Sequence, residues 1–339
     1  MRIVITGASG NVGVALLRRL DLDGNHEIVG LSRRPPPADE APYSVAHWHQ
    51  VDLADRAAVP LLTGLIRDAD AVVHLAWAVQ PGHDREQLRR TNQDGTRAVV
   101  EAVLATHVPH LVLMSSIGAY SHAAPPHRVV DESYPTGGVP TSSYSVDKSA
   151  AERLVNTMIG ETTGHIVTKV RPGLILQPDA AAEIGRYFLG RIVPTSLLRP
   201  AILRFAPWPK ELAIQIVHAD DVADALVRIL ERRISGAVNL AAEPVLDRST
   251  IREIFGGVGP SLPLPVVRAA ADATWRLNLQ PTDAGWIDLA KSVPILDTER
   301  ARRDLDWVPF HRADDLLRDF LAALRERRGT HGPLLYSGR

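Results

Sequence analysis

Cysteine is absent from this sequence of 339 residues, which excludes disulfides, thiolate nucleophiles, iron–sulfur clusters and cysteine-ligated zinc. Aromatic residues make up only 5%, and no run approaches the roughly 18 apolar residues of a membrane span, so we expect no membrane segment. Neither sign of charge dominates, because 38 Lys and Arg face 39 Asp and Glu. We therefore expect no general attraction to nucleic acid or to an anionic membrane, and any phosphate site to be local.

The remaining composition is that of a globular protein. Hydrophobic residues make up 45% and charged residues 23%, and the length suits a large domain with a smaller one. The first apolar run ends at Gly7, too soon for a secretory signal peptide. Together with the missing cysteine, this favours a cytoplasmic location.

The first half of the chain alternates short apolar runs with longer amphipathic stretches. This alternation predicts an α/β fold with a doubly wound parallel sheet of the Rossmann type. The predicted strands are residues 2–6, 27–31, 71–75, 111–115 and 166–171. The predicted helical stretches are residues 11–20, 84–106 and 142–159.

Prolines interrupt shorter segments after Gly173, which predicts a smaller substrate-binding cap. Residues 214–242 return to a strand–helix–strand pattern, so we expect the cap to be discontinuous. The predicted division assigns residues 1–172 and 214–242 to the sheet domain. Residues 173–213 form one part of the cap, and residues 243–339 form its other part with the C-terminal helix.

A glycine-rich segment, Thr6-Gly7-Ala8-Ser9-Gly10-Asn11-Val12-Gly13, joins the first strand to the first helix. Gly7 permits a tight turn, Gly10 lets the backbone approach a pyrophosphate, and Gly13 lets the helix lie close to the sheet. The three-residue spacing differs from the commonest dinucleotide fingerprint, and a turn without a ligand is the alternative. The preceding strand and following helix favour a dinucleotide site.

Further motifs follow in a characteristic order. They are Asp52-Leu53, His74-Leu75-Ala76, Asn92 to Gly95-Thr96, Ser115-Ser116, Tyr144 to Lys148, Arg171-Pro172-Gly173 and His218-Ala219-Asp220-Asp221-Val222-Ala223. Taken together, the sequence resembles an extended short-chain dehydrogenase/reductase of the NAD-dependent epimerase/dehydratase group over nearly its whole length. Trp77, directly after the His74 motif, is unusual for that group.

The resemblance implies a set of cofactor contacts. They are Gly7, Ser9, Gly10, Asn11, Val12, Gly13, Asp52, Leu53, Leu75, Ala76, Asn92, Tyr144, Lys148 and Pro172. For Asn92, near the ribose in the family, an equal alternative is that it only organises the helix backbone. The resemblance also implies a homodimer formed through helices 84–106 and 142–159.

The end of the second strand bears on the choice between NAD and NADP. An acidic residue there accepts a hydrogen bond from the free 2′-hydroxyl of NAD, whereas a basic residue pairs with the extra phosphate of NADP. The sequence has Ser32 at that position and Arg33 after it. We therefore predict NADP, with NAD as the alternative; Arg33 and Arg34 could instead be an exposed surface pair.

Tyr144 and Lys148 lie four residues apart, so on a helix their side chains share one face. A nearby positive charge favours the phenolate, which brings a phenol with a free pKa of about 10 closer to use in proton transfer near neutrality. Ser116 follows an apolar strand at the sheet edge where such folds bind ligands. The resemblance implies that Ser116 is the catalytic serine, with Ser115 its structural neighbour.

These residues predict an NADP-linked oxidoreductase that interconverts a carbonyl and a secondary alcohol on a small organic substrate. One alternative is a nucleotide-sugar epimerase or dehydratase, although the Asn expected after Arg171 in such members is missing. Another alternative is a dinucleotide-sensing regulatory protein without turnover, although Ser116, Tyr144 and Lys148 are all retained. We predict no metal site. Candidate pocket residues are Trp77, Gln80, His122, Tyr187, Phe188, Trp208 and Trp275. The alternative is that the aromatic ones are packing residues, which is the commoner role at a cap boundary.

Overall fold

The computed structural model of the chain describes residues 1–79, 83–160, 164–188, 198–205, 208–257 and 259–329. The strands are β1 (Arg2–Thr6), β2 (Glu27–Ser32), β3 (Ala46–Gln50), β4 (Ala71–His74), β5 (His110–Met114), β6 (Val129–Val130), β7 (Ile166–Pro172), β8 (Leu174–Leu176), β9 (Ile216–His218), β10 (Gly236–Leu240) and β11 (Ile295–Leu296). The α-helices are α1 (Asn11–Asp23), α2 (Val59–Ile66), α3 (Arg85–Arg89), α4 (Gly95–Thr106), α5 (Ser143–Met158), α6 (Ala181–Phe188), α7 (Pro200–Leu203), α8 (Ala219–Arg232), α9 (Arg248–Phe255), α10 (Leu264–Arg276), α11 (Gly285–Ser292), α12 (Glu299–Leu305) and α13 (Ala313–Glu326).

The central feature is a seven-stranded parallel sheet with the order β3–β2–β1–β4–β5–β7–β10. This confirms the predicted doubly wound α/β fold, and each predicted strand agrees with the structure within one residue at either end. The chain leaves β1 toward β2 on one side, whereas β4 lies on the other side. The carboxyl ends of β1 and β4 therefore flank the switch point at which folds of this class bind ligands.

Apolar side chains cover both faces of the sheet. One face packs against α1 and α8, and the other packs against α2, α4 and α5. Helix α1 ends at Asp23 and is followed by Gly24, whose φ of 65° gives the left-handed conformation that often terminates helices. His218 caps the N-terminus of α8, because its ring accepts a hydrogen bond from the Asp220 amide at 3.0 Å. Across the described ranges, no helix is both long and apolar enough to cross a bilayer.

The cap has its own apolar cluster, built from α6, α9, α13 and the strands β8 and β9. Strand β8 pairs in parallel with β9, and Ile214 bridges to Leu246 beside them. The structure differs from the predicted division at residues 301–307. These residues were predicted to be cap, but Ala301, Leu305 and Trp307 pack into the core of the sheet domain beside α8. Burial of these apolar side chains explains the difference.

The stretch predicted as helical from residue 84 to 106 is divided in the structure. Helix α3 passes into a π-helical turn, Arg90–Asp94, before α4 begins. The Thr96 hydroxyl donates to the Asn92 carbonyl at 2.5 Å and also contacts the His74 ring at 3.0 Å. Such π-turns interrupt the regular hydrogen-bond ladder and frequently lie at functional sites.

Trp307 offers a test of the unexpected return to the sheet domain. Its side chain is fully buried and its indole N–H donates to the Asp221 carbonyl at 2.9 Å. We expect Trp307→Ala to lower the free energy of unfolding by about 3–5 kcal/mol, because the substitution leaves a large cavity. Phe310→Ala is the control, since that ring is 74% exposed; we expect a change within about 0.5 kcal/mol. Denaturant unfolding measures both, and similar small changes would contradict the assignment of Trp307 to the core.

Candidate active site

A cavity of about 790 Å³ lies at the carboxyl ends of the sheet strands, between the sheet and the cap. All residues predicted for the cofactor and for proton transfer line it, except Asn92. They are Gly7, Ser9, Gly10, Asn11, Val12, Gly13, Ser32, Arg33, Asp52, Leu53, Leu75, Ala76, Ser116, Tyr144, Lys148 and Pro172. The structure therefore brings residues from distant parts of the sequence to one side of one cavity.

The glycine-rich turn presses against the chain that leaves β4. Gly7 has a φ of +72°, and a Cβ atom there would lie 2.7 Å from the Ala76 backbone nitrogen. A Cβ atom at Gly13 would lie 2.4 Å from the Ala8 carbonyl oxygen. Both distances are far below van der Waals contact, so side chains at these positions would force the backbones apart.

Two buried hydroxyls, one in this turn and one at the end of β2, have no hydrogen-bond partner among the described residues. They are the hydroxyls of Ser9 and Ser32, and both residues line the cavity. Leaving a buried hydroxyl unpaired costs free energy, which a ligand oxygen would recover. The N-terminus of α1 opens at the same place and favours an anion. A dinucleotide fits these features: the turn from Gly7 to Gly13 would hold its pyrophosphate, and Ser32 and Arg33 would lie at the adenosine end.

Helix α5 places Tyr144 and Lys148 one turn apart, after Ser142 caps its first turn. The Ser116 hydroxyl pairs with the Tyr144 phenol and also accepts from the Gly118 amide at 3.0 Å. Burial raises the pKa of Tyr144, and the hydrogen bond with Ser116 opposes that shift. A Cβ atom at Gly118 would lie 3.0 Å from the Tyr144 ring, so this close approach depends on glycine.

Lys148 is buried with its ammonium group close to three other groups. The Nζ atom donates to the Met114 carbonyl at 2.9 Å. It lies 3.6 Å from the centroid of a Trp77 indole ring and 5.9 Å from that of the Tyr144 ring. Burial lowers the pKa of Lys148 to about 7, and the charges of Glu152 and Asp147 oppose the shift.

A buried polar network lies next to the Ser116 segment, on the side away from the cavity. Glu152 forms a two-pronged pair with Arg171, at 2.9 and 2.7 Å, and accepts from the Ser115 hydroxyl at 2.5 Å. Arg171 also donates to the Tyr120 hydroxyl at 3.0 Å. A two-pronged pair of this kind restricts the geometry of both side chains. Ser115 is thus held in the network, next to Ser116 at the cavity.

Asn92 lies outside the large cavity. Its amide donates to the Ala78 carbonyl at 2.9 Å and accepts from the Ala78 amide at 2.8 Å. Both ends of the side chain are therefore occupied with the loop after β4, as the backbone-organising alternative expects. His74 is fully buried nearby between Thr6 and Thr96. Burial and the charge of Lys148 lower the pKa of His74 to about 3, so its ring is neutral.

Three of the predicted pocket residues, Trp77, Tyr187 and Phe188, line the cavity. Gln80 lies outside the described residues. His122 is exposed, Trp208 packs into the cap cluster, and Trp275 stacks on His83, so these three predictions are wrong. Aromatic type alone did not distinguish cap packing from cavity lining.

Sequence reasoning missed Trp286 and Glu183. Trp286 lies 4.8 Å from the Tyr144 ring and also contacts Phe188 edge-on. Glu183 lines the cavity, and burial raises the pKa of its carboxyl to about 7, while a hydrogen bond from Tyr187 opposes the shift. Both belong to cap helices, and no sequence motif marked them.

The cap side of the cavity is mainly apolar. Among the described lining residues, Arg33 and Lys148 are the basic ones, and both belong to the sheet domain. Two polar side chains that line this part of the cavity are engaged within the protein: Gln215 bonds the Leu296 backbone, and Thr282 donates to the Phe188 carbonyl. Within the described ranges, no group of three acidic or histidine side chains is arranged to hold a metal ion.

The sequence model of the NAD dependent epimerase/dehydratase family matches residues 3–241. The chain belongs to this family. The match covers the glycine-rich turn, the Ser116 segment and the Tyr144 to Lys148 segment.

Two proteins similar to this chain in sequence have modest identity to it. An uncharacterized protein of Mycobacterium tuberculosis is 30% identical over 335 residues, which cover 97% of this chain and 31% of that protein. The chain thus spans about a third of the length of that relative. A ceramide reductase of Caulobacter vibrioides is 26% identical over 313 residues, covering 91% of this chain and 86% of that enzyme.

Solved structures show the same fold. The UDP-glucuronic acid 4-epimerase from Bacillus cereus, in complex with UDP-glucuronic acid and NAD, has a TM-score of 0.66 and 18% identity over 96% of this chain and 99% of its own. The UDP-glucose 4-epimerase from Thermotoga maritima has a TM-score of 0.68 and 16% identity, with the same coverage of both chains. At these identities, the likeness establishes the fold alone.

Gly7→Ala tests the close approach at the glycine-rich turn. We expect it to destabilise the protein and to weaken NADPH binding about tenfold or more, because the new Cβ combines a strained φ with a clash against Ala76. Gly64→Ala in α2 is the matched control, since a Cβ there meets nothing within 4 Å and the helix gains about 0.5–1 kcal/mol. Thermal unfolding and a fluorescence titration with NADPH measure both effects. Unchanged NADPH binding in Gly7→Ala would contradict the assignment.

Proposed function

We propose that the protein is an NADP-linked oxidoreductase that interconverts a carbonyl and a secondary alcohol on a small, largely apolar organic substrate. The observation that supports this most directly is the convergence of Ser116, Tyr144 and Lys148 on a cavity whose described cap lining contains no basic side chain. The ceramide reductase relative is consistent with such chemistry in this family.

Each of the three side chains has a distinct proposed role. In reduction, the Tyr144 phenol donates its proton to the substrate oxygen as the alcohol forms; in oxidation, the phenolate takes the proton back. Ser116 donates a hydrogen bond to the same oxygen and stabilises the charge that develops there. Lys148 provides a positive charge that favours the phenolate form of Tyr144. The bound nicotinamide would supply or accept the hydride.

Ser32 and Arg33 support NADP over NAD. Ser32 stands where an acidic residue would accept from a free 2′-hydroxyl, and its own hydroxyl is buried without a partner among the described residues. Arg33 lines the cavity beside it and can pair with a phosphate through a charge-assisted hydrogen bond. NAD, the cofactor of the family as a whole, is the alternative.

Nucleotide-sugar epimerisation is the second candidate, because the similar solved structures include enzymes that act on UDP-sugars. A diphosphate buried in the cap needs cationic or other donor groups there. The described cap lining instead presents apolar side chains such as Ile184, Leu212 and Val293. Oxidation and reduction of an apolar substrate fit this lining better. The homodimer and the cytoplasmic location stay predictions.

Tyr144→Phe tests the proton-transfer role. With NADPH and a panel of apolar ketones and aldehydes, we expect net nicotinamide oxidation by the unmodified protein and a loss of about 10²–10⁴-fold in kcat for the variant. Tyr134→Phe removes a phenol whose hydrogen bond, among the described residues, goes to the His122 carbonyl, and it should leave kcat unchanged. Full turnover by Tyr144→Phe would refute the role. Conversion of UDP-glucose without net oxidation would favour the epimerase, and binding without turnover would favour a sensor.

Arg33→Ala tests cofactor selectivity. We expect it to weaken NADPH binding by about 10- to 100-fold, the equivalent of one charge-assisted contact, and to leave NADH binding within about twofold. Arg34→Ala is the neighbouring control, because Arg34 is exposed and does not line the cavity. Isothermal titration with both dinucleotides measures the change. Equal affinity of the unmodified protein for the two would overturn the preference for NADP.

A further inference from the structure

The buried ammonium of Lys148 has few compensating contacts. The residue is only 3% exposed, and its one described hydrogen bond goes to the Met114 carbonyl. An ionisable group that is removed from water stays in its charged form only if favourable interactions replace its hydration. Yet the proposed role of Lys148 requires a positive charge next to Tyr144.

The nearby carboxylates are shared with other groups. On its own helix, Glu152 is engaged by Arg171 and Ser115, and Asp147 lies 3.5 Å from Arg85. On the facing strand β4, His74 is neutral and supplies no negative charge. Tyr144 is protonated at neutral pH because burial raises its pKa.

The Trp77 indole provides a further favourable contact for the Lys148 ammonium. Its ring lies 3.6 Å from the Lys148 Nζ atom, well within the distance at which a cation is attracted to an aromatic face. The same side chain meets the Tyr144 ring edge-on at 6.3 Å. Its indole N–H is buried without a partner among the described residues, so no hydrogen bond of its own orients the ring. Its ring instead contacts the Lys148 ammonium and the Tyr144 ring.

We propose that Trp77 is a positioning residue that holds the Lys148 ammonium against the Met114 carbonyl and stabilises its charged form beside Tyr144. The catalytic meaning of this contact rests on the proposed function, whereas the contact between indole and ammonium does not. A leucine at position 77 would remove the aromatic face, and a phenylalanine would retain a weaker one.

The titration of Lys148 can be followed directly, because the sequence contains only four lysines, at positions 148, 169, 210 and 291. The protein is labelled with ¹³C at the lysine Cε atoms, and Lys148→Arg assigns its resonance. We expect the midpoint of the Lys148 titration to fall from the unmodified protein to Trp77→Phe and further to Trp77→Leu. The total decrease should be about one pH unit, since Trp77 favours the charged form and its removal lowers the pKa.

An unchanged midpoint in Trp77→Leu would overturn the proposal. A higher midpoint, which water entering the enlarged cavity would produce, would overturn it as well. Trp275→Leu is the control, because Trp275 stacks on His83 and does not line the cavity; we expect its Lys148 midpoint to match the unmodified protein. Thermal unfolding of each variant verifies that it is folded.

The pH profile of kcat/KM for NADPH gives a second readout. Because Lys148 must be charged, activity falls as pH rises through its pKa, and this decline should move to lower pH in Trp77→Leu by the same amount as the NMR midpoint. At low pH, where Lys148 is charged in every variant, we expect kcat to differ by less than about fivefold. If the unmodified protein shows no turnover, the proposed function fails, and the NMR titration still decides the role of Trp77.

Discussion

The architecture depends on how closely two backbone segments approach each other where β1 and β4 end. The turn at Gly7 and the chain at Ala76 leave no room for a Cβ atom, and the turn's third glycine, Gly13, meets the same limit against Ala8. This contact lies at the base of the cavity, at the point where the chain from β1 leads to β2 on one side and β4 lies on the other. The cofactor half of the cavity, the placement of α1 and the path of the loop that carries Trp77 all follow from it.

The chemistry is concentrated in a region of low polarity. Lys148 is buried and Tyr144 is partly buried, and their pKa values are displaced in opposite directions, upward for the phenol and downward for the ammonium. Both displacements have the same physical cause, because burial disfavours the charged form of each group, the phenolate of Tyr144 and the ammonium of Lys148. The Glu152–Arg171 pair lies behind them and contributes a fixed local field, although a buried pair of this kind does not in itself add much stability.

The fold and the cofactor half of the site could be predicted because their signals are local. A strand followed by Gly7, Gly10 and Gly13 specifies a turn within a few residues, and the helical spacing of Tyr144 and Lys148 specifies a shared face. The cap could not be predicted in the same way. Whether Trp275 or Trp286 faces the cavity depends on packing between segments far apart in the chain. The π-turn before Gly95 depends on contacts to Thr96 and His74 that no periodicity encodes.

The return of residues 301–307 to the sheet domain has a consequence for biosynthesis. The core beside α1 and α8 contains Trp307, which is synthesised after most of the cap. During translation from the N-terminus, the core of the sheet domain beside α8 therefore stays incomplete until about nine-tenths of these 339 residues have been made. Folding of the sheet domain is thereby coupled to that of the cap, since the core of the sheet domain is complete only when a segment that follows most of the cap in the sequence has packed into it.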